Sequence, residues 1–306
     1  MRSAPPLPPP LRGRVFTAGQ ALALGVSRGR LRAGSIRSLG GGLFVEEGAV
    51  PDPASFVAAL ASRAPGIWAS HQTSARIHHL GIPEAQELDP VIHIGRSRRL
   101  PEVRLAGVVT HRGLILRNEL QQLGGMWITT PARTWLDLGT VLAVPDLVAL
   151  GDQLLRVPRP HFEGRWEAHA TVDDLRALIA AHPNKQGTAP AREALRRMRV
   201  GSDSVPETKL RLALVAAGLP EPELQIALDP RDPRSPRADM GYRERRIALQ
   251  YDGNPHLERQ QHASDILRDA QFNRARWRYF KYAAADLRQG FARAVAEVGG
   301  ALASAA

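Results

Sequence analysis

The chain has 306 residues, a formal net charge of +11, an isoelectric point near 11.0 and no cysteine. That length accommodates two or three domains with real cores, and the lack of thiols excludes disulfides, zinc–thiolate centres and a cysteine nucleophile. Only Lys185, Lys209 and Lys281 among the 41 basic residues are lysines, and so much arginine favours a polyanionic partner such as DNA, because a guanidinium grips phosphate bidentately and reads guanine. A coding bias toward alanine, arginine and glycine is the other source of such a charge.

Residues 1–10 read as a disordered proline-rich tail, neither a signal peptide nor a membrane anchor. No apolar run approaches the length of a spanning helix, so a cytoplasmic protein that does not enter the membrane is expected. Thr17 and Gln20 have capping-box spacing and open a helix. Gly25-Val26 makes a turn, and Ser27 can cap a second, basic helix through Arg32. Ile36–Val45 then reads as two short strands around Gly40-Gly41-Gly42. Helix, turn, basic helix and wing predict a winged helix-turn-helix over residues 11–50. This order resembles the N-terminal domain of AbiEi-type antitoxins. The resemblance implies DNA as a partner, with Ser27, Arg28 and Arg30 at base edges or phosphates and Arg37 bracing the backbone, and a cognate toxin as a further partner. A small module that uses its arginines for solubility or protein contacts would carry the same pattern.

Residues 51–157 predict a middle α/β domain. Helices are expected over 53–64 and 70–79, strands at 91–94, 108–110 and 127–129, and Thr130-Pro131 caps a further helix. This order is again similar to AbiEi-type proteins. His71, His78, His79, His93 and His111 lack a tight metal-ligand spacing, so they read as packing or capping residues and the domain is assigned no chemistry. Residues 158–200 read as a linker and helices, from Val157-Pro-Arg-Pro through helices near 171–180 and 190–200. The intervening His182–Gly187 loop has a single glycine and is no phosphate cradle.

Residues 201–306 carry the strongest chemical signal. Ser204-Val-Pro-Glu207 opens an amphipathic helix with capping-box spacing. Two strand-like runs, 239–242 and 246–251, flank the charged turn Arg243-Glu244-Arg245, and the hairpin sets Asp239 near Asp252 with His256 beyond. Carboxylates converging at strand ends beside a histidine suit a divalent metal and an activated water, whereas Asp-Gly alone is also an ordinary turn dipeptide. The order resembles the PD-(D/E)XK endonuclease superfamily, most closely the very-short-patch-repair-like branch known as domain of unknown function 559. The resemblance implies a restriction-endonuclease-like α/β domain holding Mg²⁺ or Mn²⁺. Asp239 would be the principal ligand, with Asp252 and Gln250 as further ligands. His256 would act at the scissile phosphate, and Glu207 would face the site from the first helix. Gln250 departs from the pattern, which usually has glutamate there, and keeps a carbonyl ligand while losing the charge. Asp265-x-x-Arg268 and Trp277–Tyr282 match the helix and closing strand that follow. Capping explains Glu207 equally, an ion pair explains Asp265 and Arg268, and Lys281 reads as a phosphate contact or a solvated edge residue.

The sequence thus predicts a multi-domain α/β protein that binds DNA and hydrolyses phosphodiesters with a metal. The alternative is a non-catalytic DNA-binding regulator or antitoxin that keeps the nuclease fold for binding. A protein-interaction scaffold is the third reading. The sequence leaves the oligomeric state open.

Overall fold

The computed structural model describes residues 5–158, 165–232, 234–253 and 259–304, with only the backbone described over 259–266. The chain is α/β, with three sheets among the described residues. It divides into two compact units, Met1–Val141 with Ala181–Gly187, and Leu142–Ala180 with Thr188–Ala306.

The first unit opens with β1 (Phe16–Thr17) and α1 (Ala18–Ala23). The capping box is formed on both sides: Gln20 N donates to Thr17 Oγ1 at 3.2 Å and Thr17 N to Gln20 Oε1 at 2.8 Å. The expected second helix is reduced to one 3₁₀ turn, Arg30–Arg32. Gly29 before it and Ala33-Gly34-Ser35 after it leave too few helix-forming residues to repay nucleation. The wing does form, as β2 (Ile36–Gly40) antiparallel to β3 (Leu43–Glu46), with φ of +84°, +58° and +77° at Gly40, Gly41 and Gly42. Such a run of left-handed residues is open only to glycine.

The leader also differs from the expected disordered tail. Leu7 and Leu11 are 2% and 3% exposed and pack with Phe16, Ala21, Val26, Leu31 and Ile36. The intervening prolines are stiff before folding, so fixing them loses little entropy and two buried leucines suffice.

Then come α2 (Pro53–Arg63), β4 (Ile67–Ala69), α3 (His71–Ile77) and α4 (Glu84–Glu87). They are followed by β5 (Ile92–Ser97), β6 (Val108–Gly113), β7 (Leu120–Leu123), β8 (Met126–Thr129) and α5 (Pro131–Leu138). The sheet order is β6-β5-β4-β8-β7, with β5–β6 and β4–β8 parallel. Asp52 caps α2, which buries Phe56, Val57 and Leu60 against Ile67, Ile92, Ile94 and Ile128. Val15, Leu43 and Val45 belong to that same cluster. Residue 50 is therefore no boundary between cores.

The second unit contains α6 (Val144–Leu155), α7 (Val172–Ala181), α8 (Thr188–Arg197) and α9 (Val205–Ala216). Next are β9 (Glu223–Ala227), β10 (Arg237–Tyr242), β11 (Ile247–Asp252), α10 (Arg259–Arg274), β12 (Arg278–Ala283), α11 (Ala284–Arg288) and α12 (Ala292–Ala303). The sheet order is β12-β11-β10-β9. β10 and β11 form the expected antiparallel hairpin, and β12 returns parallel to β11 after α10. Leu210 and Leu214 of α9 and Val298 of α12 bury Met240, Leu249 and Tyr282.

α6 lies with this unit rather than with the middle domain, because its buried Asp152 is claimed from three sides. Arg211 and the Thr208 hydroxyl each donate to it at 2.9 Å, and Arg199 N donates at 2.7 Å. Among the described residues no helix is long and apolar enough to cross a membrane.

Candidate functional site

The β10–β11 register pairs Met240 with Leu249, which sets Asp239 opposite Gln250. Gln250 Nε2 donates to Asp239 Oδ1 at 2.8 Å, and Tyr251 N donates to Asp239 Oδ2 at 2.7 Å. Burial and the neighbouring Glu207 carboxylate push the Asp239 carboxyl up to about 8, against the pull of the Tyr251 amide, Arg268 and Gln250. A proton or a cation is the electrostatic complement of such a pair. Glu207 is 6% exposed, accepting from the Ser204 hydroxyl at 2.8 Å and from Asp203 N at 2.9 Å. The cap and the charge at the site are thus one residue with two roles. Gln250 keeps its carbonyl oxygen buried with no hydrogen-bond partner.

Asp239, Glu207 and that Gln250 oxygen are hard oxygen donors, the kind that a cation of the magnesium type takes. Asp252 is exposed at the end of β11. Lys281 sits beside Gln250 in the β11–β12 register, and its Nζ pairs with Asp269 Oδ2 of α10 at 2.5 Å. His256 and the Asp265 side chain lie outside the described residues. Among those described, no three His, Cys, Asp or Glu side chains gather as a metal site.

The expected DNA-contacting residues of the first unit are spread around the 3₁₀ turn. Ser27 Oγ caps it by accepting from Arg30 N at 3.2 Å, and Arg28 is exposed beside it. Arg30 donates to the Pro5 carbonyl, and Arg37 donates to the Ala49 carbonyl at 3.1 Å. Arg30 and Arg37 therefore brace their own backbone, whereas Arg28 projects from the exposed surface before the turn.

A second concentration of polar groups was passed over in the sequence. On α5 the Thr130 hydroxyl accepts from Arg133 N at 3.3 Å, and Arg133 and Asp137 follow four apart, 5% and 2% exposed. Arg133 Nε donates to Asp137 Oδ1 at 2.9 Å and its terminal nitrogen pairs with Glu119, while Lys185 Nζ lies 3.1 Å from Asp137 Oδ1. His182 bonds Glu119 at 2.5 Å. Beside them the His71 and His111 rings stack at 3.6 Å, and His93 Nδ1 meets His111 Nε2 at 2.9 Å. Burial drives His71 down to about 3 and His111 to about 4, so both are neutral at pH 7. His71 also has a φ of 49°, a left-handed backbone that costs a side-chain-bearing residue about 1 kcal/mol or more. Spacing along the chain could not reveal this grouping, since strands β5 and β6 and two distant loops assemble it. The legible signal was Arg133-x-x-x-Asp137 within an otherwise apolar helix.

The chain is 27% identical over 180 residues to two uncharacterized proteins from strains of Mycobacterium tuberculosis, MT2308 and Rv2248. The match takes in 58% of this chain and 59% of either relative, so less than two thirds of their length is covered. No family model and no solved structure matches the chain.

Proposed function

We propose that this chain binds DNA and that its second unit carries a metal-dependent endonuclease-like site at Asp239, Glu207 and Gln250. One observation supports the reading: in a basic protein the β10–β11 hairpin sets Asp239 against Gln250, whose amide oxygen is buried without a partner, and the Glu207 carboxylate of α9 acts on Asp239 electrostatically. When bound there, Mg²⁺ or Mn²⁺ would supply Lewis-acid stabilisation of the phosphate and a more acidic water. Asp239 and Glu207 would hold the charge of the ion and Gln250 Oε1 would complete the set, with Tyr251 N fixing the Asp239 carboxylate in place. The proton that Asp239 retains near neutrality must leave first, so metal affinity rises as the pH passes about 8. Arginine on the surface, Arg28 included, would draw in the phosphate backbone.

Supercoiled plasmid incubated with Mg²⁺ or Mn²⁺ tests this directly, with wild type beside Asp239→Ala. Nicking by wild type that disappears in the variant is the expected result. Equal cutting by both would overturn the assignment of the site. A second reading, a regulator or antitoxin that binds DNA without cutting it, is favoured by the Gln250 amide donating to Asp239, since every oxygen of Asp239 and Glu207 already accepts a hydrogen bond. It moves ahead if neither protein cuts while both bind DNA with steep salt dependence.

A further inference from the structure

The first unit holds a cavity of about 860 Å³, within the range of small-molecule sites. Its lining includes Arg98, Arg99 and Arg112 at the exposed rim, and His71, Arg133 and Asp137 at the buried base. Asp137 is already bridged by Arg133 and Lys185, so the rim guanidiniums face no carboxylate of the cavity that is not already paired. Arg112 donates to the Arg98 carbonyl, which keeps the like-charged rim residues together in spite of their repulsion. Among the described residues these arginines have no ion pair of their own, and such arginines are the complement of a phosphate.

The walls have a different character. The stacked His71 and His111 rings, uncharged at neutral pH, and the Trp68 indole offer flat aromatic surface. Trp68 can lie across β5 only because residue 95 is glycine: a Cβ there would fall 1.9 Å from the indole nitrogen. Among the described residues no group of three His, Cys, Asp or Glu side chains is placed to hold a metal here, and His93 Nδ1 and His111 Nε2 are bonded to each other. The buried Arg133 and the strained His71 hold the base of the cavity in one arrangement, as a binding site requires.

We infer that this cavity binds a phosphorylated nucleoside, the phosphate held by Arg98, Arg99 and Arg112 and the planar base against the imidazoles and Trp68. The ligand is a free nucleotide or the 5′-phosphorylated end of a nucleic acid, which share this chemistry. The site is independent of Asp239 and stands whether or not the chain cuts DNA.

Calorimetric titration of the full chain with AMP, adenosine, inorganic phosphate and the 5′-phosphorylated dinucleotide pApA tests it. AMP or pApA should bind at least tenfold more tightly than adenosine or phosphate, and more weakly as salt rises. The stronger of AMP and pApA identifies the source. The double variant Arg99→Ala/Arg112→Ala, exposed at both positions, should lose at least tenfold in affinity, while Arg192→Ala on α8 leaves it unchanged. Phosphate binding as tightly as AMP, no binding of any probe, or equal binding by the double variant would overturn the inference.

Discussion

Asp239 and His71 are both buried ionisable groups whose neutral forms are favoured, and the sign of the consequence differs because one is an acid and the other a base. Asp239 binds its proton more tightly folded than unfolded, so the stability it contributes is complete below the ordinary carboxylate range near 4 and is lost as the pH rises through about 8. Asp239→Asn imposes the neutral form at every pH. The variant is expected to unfold at a higher temperature than wild type at pH 9 and close to wild type at pH 5, followed by circular dichroism. A gap that stays constant across that range would mean that Asp239 is already ionised at neutrality. Gln250 is what makes the arrangement tolerable, since its amide donor takes the place that a third carboxylate would fill with more repulsion.

At the scale of single elements, the leader shows how a small number of apolar side chains decides local order. Leu7→Ala removes a 2%-exposed side chain from the cluster around Phe16 and Leu31 and should cost about 2–3 kcal/mol, read as a lower denaturant midpoint for the first unit. A change below about 0.5 kcal/mol would show that the leader contributes no packing. Elements with a cap and a full apolar face were legible in the sequence: α2 after Asp52, α5 after Thr130-Pro131, α9 after Ser204, and the β10–β11 hairpin around its charged turn. Two kinds were not. β4 and β7 are three- and four-residue strands whose pairing comes from neighbours far along the chain, so no local alternation marks them. The basic segment after Ser27 has helical spacing of charge, but a glycine on either side holds it to one turn. The candidate carboxylates were readable because a capped helix start carries Glu207 and one hairpin carries Asp239, whereas the histidine–arginine cavity draws on β4, β5, β6, α5 and the 182–186 loop and could be seen only in three dimensions.

For the whole molecule, the two units titrate in opposite senses. Burial keeps His71 and His111 from accepting protons that they would take readily when unfolded, so the first unit loses stability as the pH falls from 6.5 toward 3–4. The second unit is relieved over an overlapping interval as Asp239 keeps its proton. Scanning calorimetry at pH 7.5 and pH 5.5 should therefore show two transitions whose separation changes with pH, the first-unit transition moving down at acid pH; parallel shifts of both would contradict the assignment of these groups. The wing adds a consequence of another kind. Its strands place Leu43 and Val45 in the same core as α2, and Val15 N is bonded to Ser55 Oγ across residue 50 at 3.0 Å, while a Cβ at Gly42 would touch the Arg63 guanidinium at 3.0 Å. Modular inheritance of the wing-bearing N-terminal segment on exchangeable bodies is closed to such a chain. The segment could be traded between proteins only together with the α/β body that completes its core, so the two must change sequence in step.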